Sequence, residues 1–283
     1  MKNTLLVNES AGRLQVRSHV NYVRRGRGSP VILAHGLAAS LHDWDDLLPE
    51  LEAAGFSGFA LDLLGHGESY KPFSPHEYTV KKVFDHFSTW IDSLFLQESL
   101  ILVGHSLGGG LSLMYARAFP ERVRAIVLIN PFYDLKQLPS VLRAFFRRPL
   151  MNTHLIERTP YRLFRMLVDL SSFNVQLGHR ETHLLPERVR EQTALDYKRA
   201  APGIYNIPRT LPGLADDLPQ IHHPALLIWG DRDQTLAPES FLDLTRRLPN
   251  IKSWYSLPAC GHVPHQCHPH TFNPHVLDFL KNI

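Results

Sequence analysis

Six near-continuous apolar segments recur along this chain of 283 residues, and they constrain its fold more than any other feature. They are PVILAHG, GFALDLLG, SLILVGHS, VRAIVLINP, PALLIWGD and IKSWYSLPACGH. Such runs are typical of strands that are buried on both faces of a sheet. Between them lie segments with helical apolar spacing, namely HDWDDLLPELEAAG, YTVKKVFDHFSTWIDSLF, LSLMYARAFP and ESFLDLTRRL. The alternation predicts an α/β fold with a doubly wound, mostly parallel sheet.

Two parts of the chain depart from this alternation. Near the start, the short alternating stretches LQVRSH and VNYVRR predict that the sheet begins antiparallel. Between about Phe132 and Ile221 there is no strand-like run, and helical patterns such as SVLRAFFRR and PYRLFRMLVDL occur instead. We therefore predict a core of residues 1–131 and 222–283, with a helical cap of residues 132–221 inserted before the later strands.

A single serine, Ser106, lies between glycines in the segment ILVGHSLGGG, residues 101–110. Glycine tolerates positive φ and has no Cβ that could clash, so this spacing permits a very tight turn. The turn follows a predicted strand and precedes a predicted helix, which is the context of a nucleophile elbow. A glycine-rich turn that only connects two elements is the alternative interpretation.

A serine hydroxyl is a weak nucleophile at neutral pH, so it needs a histidine as base and a carboxylate that orients the histidine. Both residue types follow predicted strands later in the chain. Asp233 comes after PALLIWG, and His262 comes after IKSWYSL. Because the carboxyl ends of parallel strands meet at one edge of a sheet, these positions favour a common site with Ser106.

Four motifs in this order resemble the α/β-hydrolase fold superfamily. They are HGL at 35–37, DLLGHGES at 62–69, GHSLGG at 104–109, and WGDRD at 229–233 together with GH at 261–262. The resemblance covers roughly residues 14–131 and 222–281. It implies the α/β-hydrolase fold, with a cap between the two core segments.

The resemblance also implies a role for each matching residue. Ser106 would attack the substrate carbonyl, and His262 would accept the serine proton and return it to the leaving group. Asp233 would hold the imidazole tautomer and stabilise the imidazolium. The backbone N–H groups of Leu37 and Leu107 would form the oxyanion hole, at about 3–4 kcal/mol per donor. His35 and the motif that begins at Asp62 would be structural.

The acid has alternatives at this stage. Relatives often have a proline four residues after the acid, whereas Pro238 lies five residues after Asp233. Asp231 shares the same turn. In some relatives the acid follows the preceding strand, where Asn130 and Asp134 stand.

His262 begins a histidine-rich segment that contains His265, Cys267, His268 and His270. Such residues can bind transition metals, but their spacing matches no compact zinc pattern. We therefore predict no metal and no cofactor. We expect the three additional histidines to lie in a solvated turn before the last helix.

A serine nucleophile excludes the subgroup that resembles haloalkane dehalogenases and epoxide hydrolases, in which the nucleophile is aspartate. We predict hydrolysis of a carboxylic ester through an acyl-enzyme. The cap holds residues that could line an apolar pocket for a hydrophobic acyl group: Phe145, Phe146, Phe164, Met166, Phe173, Tyr197 and Tyr205. A C–C bond hydrolase of dienol acids, with cap arginines as polar handle, is the second hypothesis. A receptor or scaffold of the same fold is the third.

Charge and composition limit the partners. The formal charge is +3, from 30 basic and 27 acidic residues, which does not argue for nucleic acid. Residues 136–165 nevertheless hold seven Arg or Lys and one acid, Glu157, among apolar residues. This pattern fits either a transient contact with a lipid surface or cap helices with a solvated arginine face. We expect a small acyl compound as substrate and no nucleic-acid partner.

The prediction of the cellular compartment rests on targeting, membrane-spanning and disulfide patterns that we do not find in the sequence. The first residues, MKNTLLVNES, do not resemble a signal peptide, and no stretch approaches the roughly 18 apolar residues of a membrane span. The two cysteines are too few for a disulfide framework. We expect a cytoplasmic protein with free thiols.

Overall fold

The computed structural model of the protein describes residues 2–11, 14–148, 156, 158–172 and 186–283. Eight strands of these residues form one sheet, in the spatial order β1-β2-β4-β3-β5-β6-β7-β8. The strands are β1 Lys2–Ala11, β2 Leu14–Gly26, β3 Pro30–Ala34, β4 Ser57–Leu61, β5 Leu100–His105, β6 Val123–Ile129, β7 Ala225–Gly230 and β8 Ile251–Leu257.

Strands β3 to β8 are parallel to their neighbours, and the antiparallel pairs are β1 with β2 and β2 with β4. The predicted mostly parallel α/β sheet is thus confirmed. The expected antiparallel start is confirmed, although LQVRSH and VNYVRR both belong to one strand, β2. Strand β2 pairs with β1 over the whole length of β1. Backbone hydrogen bonds hold such a hairpin without the long apolar run that signals a buried strand.

The described helices are α1 Leu48–Ala53, α2 Val80–Ser93, α3 Leu107–Ala118, α4 Ser140–Arg147, α5 Tyr161–Ser172, α6 Glu187–Arg199, α7 Glu239–Arg247, α8 Pro264–Cys267 and α9 Pro269–Lys281. Helix α2 begins after Thr79, whose side chain accepts a hydrogen bond from the Lys82 N–H and so caps the helix. None of the helices in the described part of the chain is long and apolar enough to span a bilayer.

The sheet is covered by helices on both faces. Along β3, Ile32 packs in one core cluster and Val31 and Leu33 pack in the other, as expected from side chains that alternate along a strand. The cluster of Ile32 includes buried residues of α2, α3 and α7, and the other cluster includes residues of α1 and α9. Both faces of the central strands are therefore apolar, which explains their continuous hydrophobic runs.

Between β6 and β7, the described residues form α4, α5, α6 and short 3-10 helices, and they add no strand to the sheet. This agrees with the helical character expected of the cap. The residues at its ends, Phe132 and Ile221, are buried in the core cluster of α2 and α3. The division into core and cap at residues 132 and 221 stays a prediction.

Candidate active site

Ser106 lies at the sharp turn between β5 and α3. Its backbone has φ 50° and ψ −113°, which is unusual for a residue with a side chain. Helix α3 begins so close to β3 that a Cβ on Gly108 would lie 2.0 Å from the Ala34 carbonyl oxygen. A Cβ on Gly104 would lie 2.4 Å from the Gly108 carbonyl oxygen. The glycines of the motif are therefore required by close backbone contacts around the serine.

This geometry gives a first prediction. Gly108→Ala is expected to lower the free energy of unfolding by about 3 kcal/mol, because the new methyl group overlaps a buried backbone carbonyl that has little room to move. Gly213→Ala is the control, since its Cβ would have no heavy atom closer than 3.9 Å, and we expect a change within about 0.5 kcal/mol. Urea unfolding measures both variants. Equal stability of the two would contradict the proposed packing of the elbow.

His262, which lines the same cavity as Ser106, contacts Asp233. The distance from His262 Nδ1 to Asp233 Oδ2 is 2.7 Å, and both residues are buried. The other carboxylate oxygen, Oδ1, accepts hydrogen bonds from the backbone N–H groups of Thr235 and Leu236, at 2.7 and 3.0 Å. Burial alone would raise the pKa of Asp233, but His262 and the donated hydrogen bonds oppose this and the net shift is downward. The carboxylate is therefore ionised at neutral pH.

The alternative acids occupy other positions. Asp231 is exposed, and its Oδ1 accepts a hydrogen bond from the Cys260 N–H at 3.3 Å. Asp134 caps the short helix that follows it by accepting a hydrogen bond from the Lys136 N–H. Of the three carboxylates, only that of Asp233 forms a hydrogen bond with His262.

Asn130 is a site residue whose contribution the sequence did not reveal. It follows β6, where some relatives place the acid, and it has φ 40°. Its Nδ2 donates a hydrogen bond to Asp233 Oδ2 at 2.7 Å. The same carboxylate oxygen therefore accepts hydrogen bonds from both Asn130 Nδ2 and His262 Nδ1. The only signal in the sequence is the position of Asn130 directly after a strand.

Leu37 and Leu107 line the same cavity as Ser106 and His262. Leu107 is the first residue of α3, where backbone N–H groups have no partner inside the helix and the helix dipole favours negative charge. The loop of Leu37 is braced by the buried His35. The Nε2 atom of His35 accepts a hydrogen bond from the Leu63 N–H, and its Nδ1 atom donates to the Gly36 carbonyl oxygen at 2.7 Å.

Asp62 holds neighbouring loops together, in agreement with the structural role expected for it. Its carboxylate accepts hydrogen bonds from Asn21 Nδ2, at 2.7 Å, and from the backbone N–H groups of Leu41 and Glu68. It does not line the cavity of Ser106 in the described part of the chain.

A cavity of about 440 Å³ lies against Ser106 and His262. Five of the seven predicted cap residues line it, namely Phe145, Phe146, Phe164, Tyr197 and Tyr205. Met166 was expected there, but it lies on an exposed face of α5. Phe173 lies outside the described residues. The described lining contains no Asp, Glu, Lys or Arg.

His265, His268 and His270 were all expected to be solvated. His268 and His270 are exposed as expected, whereas the expectation is wrong for His265. His265 is only 3% exposed because α8 carries it into the protein, where its ring stacks on Trp44. Its Nε2 is 3.6 Å from Asp43 Oδ2.

His105, the residue before Ser106, completes a buried cluster with Asp43 and His265. Its Nδ1 is 3.6 Å from Asp43 Oδ2, and its Nε2 donates to the His262 carbonyl oxygen at 2.8 Å. Burial lowers the pKa of His105 to about 4, so the ring is neutral at neutral pH. Gln266 Nε2 donates to the other carboxylate oxygen of Asp43. The cluster connects the elbow with the segment of His262, and the sequence did not predict it because its members lie far apart along the chain.

These three side chains place one oxygen and two nitrogens within 4.8 Å of one another. The histidines weighed as metal ligands in the sequence, by contrast, do not converge, since His268 and His270 are exposed while His265 is buried. Cys260 and Cys267 are free thiols.

The alpha/beta hydrolase fold family matches residues 29–269 of the chain. The chain belongs to this family. It is 27% identical, over 94% of its length, to the bifunctional epoxide hydrolase 2 of Sus scrofa, of which it spans 53%. It is also 27% identical to the 2-hydroxy-6-oxo-6-(2'-aminophenyl)hexa-2,4-dienoic acid hydrolase of Metapseudomonas resinovorans, over 96% of this chain and 89% of that one.

Among solved structures, a thermophilic esterase from Thermogutta terrifontis superimposes with a TM-score of 0.81. The alignment covers 100% of this chain and 98% of the esterase, at 20% identity, and it shows the shared fold. Both of these curated relatives are named as hydrolases.

Proposed function

We propose that the protein is a serine hydrolase that cleaves carboxylic esters of hydrophobic acyl groups through an acyl-enzyme. The observation that carries the proposal is the largely apolar cavity against Ser106 and His262, whose described lining holds no Asp, Glu, Lys or Arg. An acyl chain is the part of an ester that gains most from such a cavity, since burying it removes apolar surface from water.

In the proposed reaction, Ser106 Oγ forms a bond to the ester carbonyl carbon and its proton passes to His262. The Nδ1 of His262 is occupied by Asp233, so Nε2 is the nitrogen that takes this proton. The oxyanion would receive hydrogen bonds from the backbone N–H groups of Leu37 and Leu107. Collapse of the intermediate breaks the ester C–O bond, and the alcohol leaves with the proton from His262. Water, deprotonated by His262, then hydrolyses the acyl-enzyme and regenerates the serine.

The identity of the nucleophile favours ester cleavage over epoxide opening. In the subgroup of the superfamily that resembles epoxide hydrolases, the nucleophile at the elbow is an aspartate. This chain has Ser106 at that position. The pig relative also extends well beyond the matched segment.

A C–C bond hydrolase is the second candidate, and the dienoic acid hydrolase of Metapseudomonas resinovorans is the observation that favours it. Dienol acids carry a carboxylate that needs a cationic or polar anchor. The cap arginines that could supply one are not among the described cavity residues. We therefore rank ester hydrolysis first.

Two matched ester series test the proposal. We expect kcat/KM for p-nitrophenyl esters to rise by about fourfold per added CH₂ from acetate upwards until the acyl chain fills the cavity. A p-nitrophenyl ester that ends in a carboxylate, such as the adipate monoester, should react far more slowly than the hexanoate, because the described cavity offers no cation. A preference for the adipate monoester would contradict the proposal and favour the dienol-acid hydrolase.

A further inference from the structure

Helices α4 and α5 present exposed apolar side chains next to the cavity. Val141 on α4 is 79% exposed, and Leu163, Met166 and Leu167 on α5 are each more than two-fifths exposed. Residues three and four positions apart lie on the same side of a helix, so Leu163, Met166 and Leu167 form one apolar face. Exposed apolar patches of this kind mark sites of interaction with proteins, ligands or membranes.

The same two helices carry most of the basic side chains of this region. Arg147 and Arg162 on these helices, and Arg148 and Arg158 just outside them, are exposed, and none of the four forms an ion pair among the described residues. Nearby Arg165 is different, because it pairs with Glu187. The apolar face is therefore accompanied by four positive charges that have no acidic partner within the described chain.

Leu167 connects this face to the site. It lines the cavity of Ser106 although 49% of its surface is exposed. Leu142, Phe145 and Phe146 of α4 line the same cavity. The cavity therefore reaches the protein surface beside the apolar and basic side chains of α4 and α5.

We propose that the surface formed by Val141, Arg147, Arg162, Leu163 and Met166 docks on an anionic lipid surface, with the cavity of Ser106 opening toward the lipid. Charge complementarity selects this partner, since arginines attract anionic headgroups while exposed apolar side chains enter the boundary between headgroups and acyl chains. The substrate would be an acyl ester carried in that surface, a conclusion that rests on the proposed function. Docking itself does not depend on the catalytic activity.

Vesicle sedimentation tests the proposal. The intact protein should bind vesicles of phosphatidylcholine with 30% phosphatidylglycerol, bind pure phosphatidylcholine much more weakly, and lose most of the difference in high salt. The double variant Arg147→Gln/Arg162→Gln should bind the anionic vesicles about 25-fold more weakly, at about fivefold per arginine. Leu163→Ser/Met166→Ser should weaken binding to the same vesicles without changing its salt dependence.

The matched control is Lys252→Gln/Lys281→Gln, which removes two exposed charges of the same sign from β8 and α9. Its vesicle binding should equal that of the unmodified protein. Equal binding of both double glutamine variants, or no preference for anionic vesicles, would overturn the proposal. Binding to a DNA duplex without binding to vesicles would overturn it in favour of nucleic acid.

Hydrolysis of p-nitrophenyl butyrate in solution distinguishes a failure of this proposal from a failure of the proposed function. All these variants should retain it, because none of the changed residues contacts Ser106, His262 or Asp233. If the protein binds anionic vesicles but hydrolyses no soluble ester, the docking proposal is supported and the proposed ester hydrolysis is contradicted.

Discussion

Ser106→Ala is expected to abolish ester turnover, with kcat lower by about 10⁶-fold, while the fold is retained. The substitution removes one oxygen atom from a residue at the turn between β5 and α3, and alanine accepts the same backbone angles as serine at similar cost. The backbone donors of the oxyanion hole remain, so a small residual rate above that in water is expected. Initial rates with p-nitrophenyl butyrate, together with circular dichroism and thermal unfolding, measure both effects.

Ser112→Ala is the matched control, since Ser112 lies in α3 and its hydroxyl donates only to the Gly108 carbonyl oxygen. We expect it to retain turnover. A fluorophosphonate should label the unmodified protein and Ser112→Ala, and should leave Ser106→Ala unlabelled. If Ser106→Ala hydrolyses esters at the normal rate, the elbow serine is not the nucleophile. Labelling of Ser106 without any sustained turnover would instead favour the receptor hypothesis.

The sequence predicted those parts of the molecule that depend on local pattern. Apolar runs predicted β3 to β8, because strands buried on both faces need continuous hydrophobic residues. The glycines around Ser106 predicted the turn, because only residues without a Cβ allow the approach of Gly108 to Ala34. Strand β1 was missed because a hairpin strand held by backbone pairing gives little apolar signal.

The site residues that the sequence missed depend on contacts between distant segments. Asp43, His105 and His265 lie on three separate elements, and no spacing within one segment indicates that they meet. Asn130 was visible only as a polar residue after β6, and its hydrogen bond to Asp233 follows from the adjacency of β6 and β7. The order of residues along the chain predicts which residue types follow each strand. The packing of the folded chain determines where their side chains point and which of them meet.

The choice between Asp231 and Asp233 illustrates this limit. It also leads to the second prediction with a large expected effect, a loss of turnover when the acid is replaced. We expect Asp233→Asn to lower kcat by about 10⁴-fold. Oδ1 of Asp233 accepts two backbone N–H groups, so an asparagine would keep its carbonyl oxygen there. Its NH₂ group would then face His262 Nδ1 and donate to it. The imidazole would hold its proton on Nε2 and could no longer accept the proton of Ser106.

Asp231→Asn should leave kcat within about threefold of the unmodified protein, because Asp231 is exposed and its hydrogen-bond partner is the Cys260 N–H rather than His262. Both substitutions remove one negative charge from the same turn, so a general electrostatic effect on His262 would lower both rates similarly. A difference of several orders of magnitude therefore isolates the hydrogen bond between Asp233 and His262. The opposite result, with the large loss in Asp231→Asn, would reassign the acid and require a different orientation of the turn after β7 during catalysis.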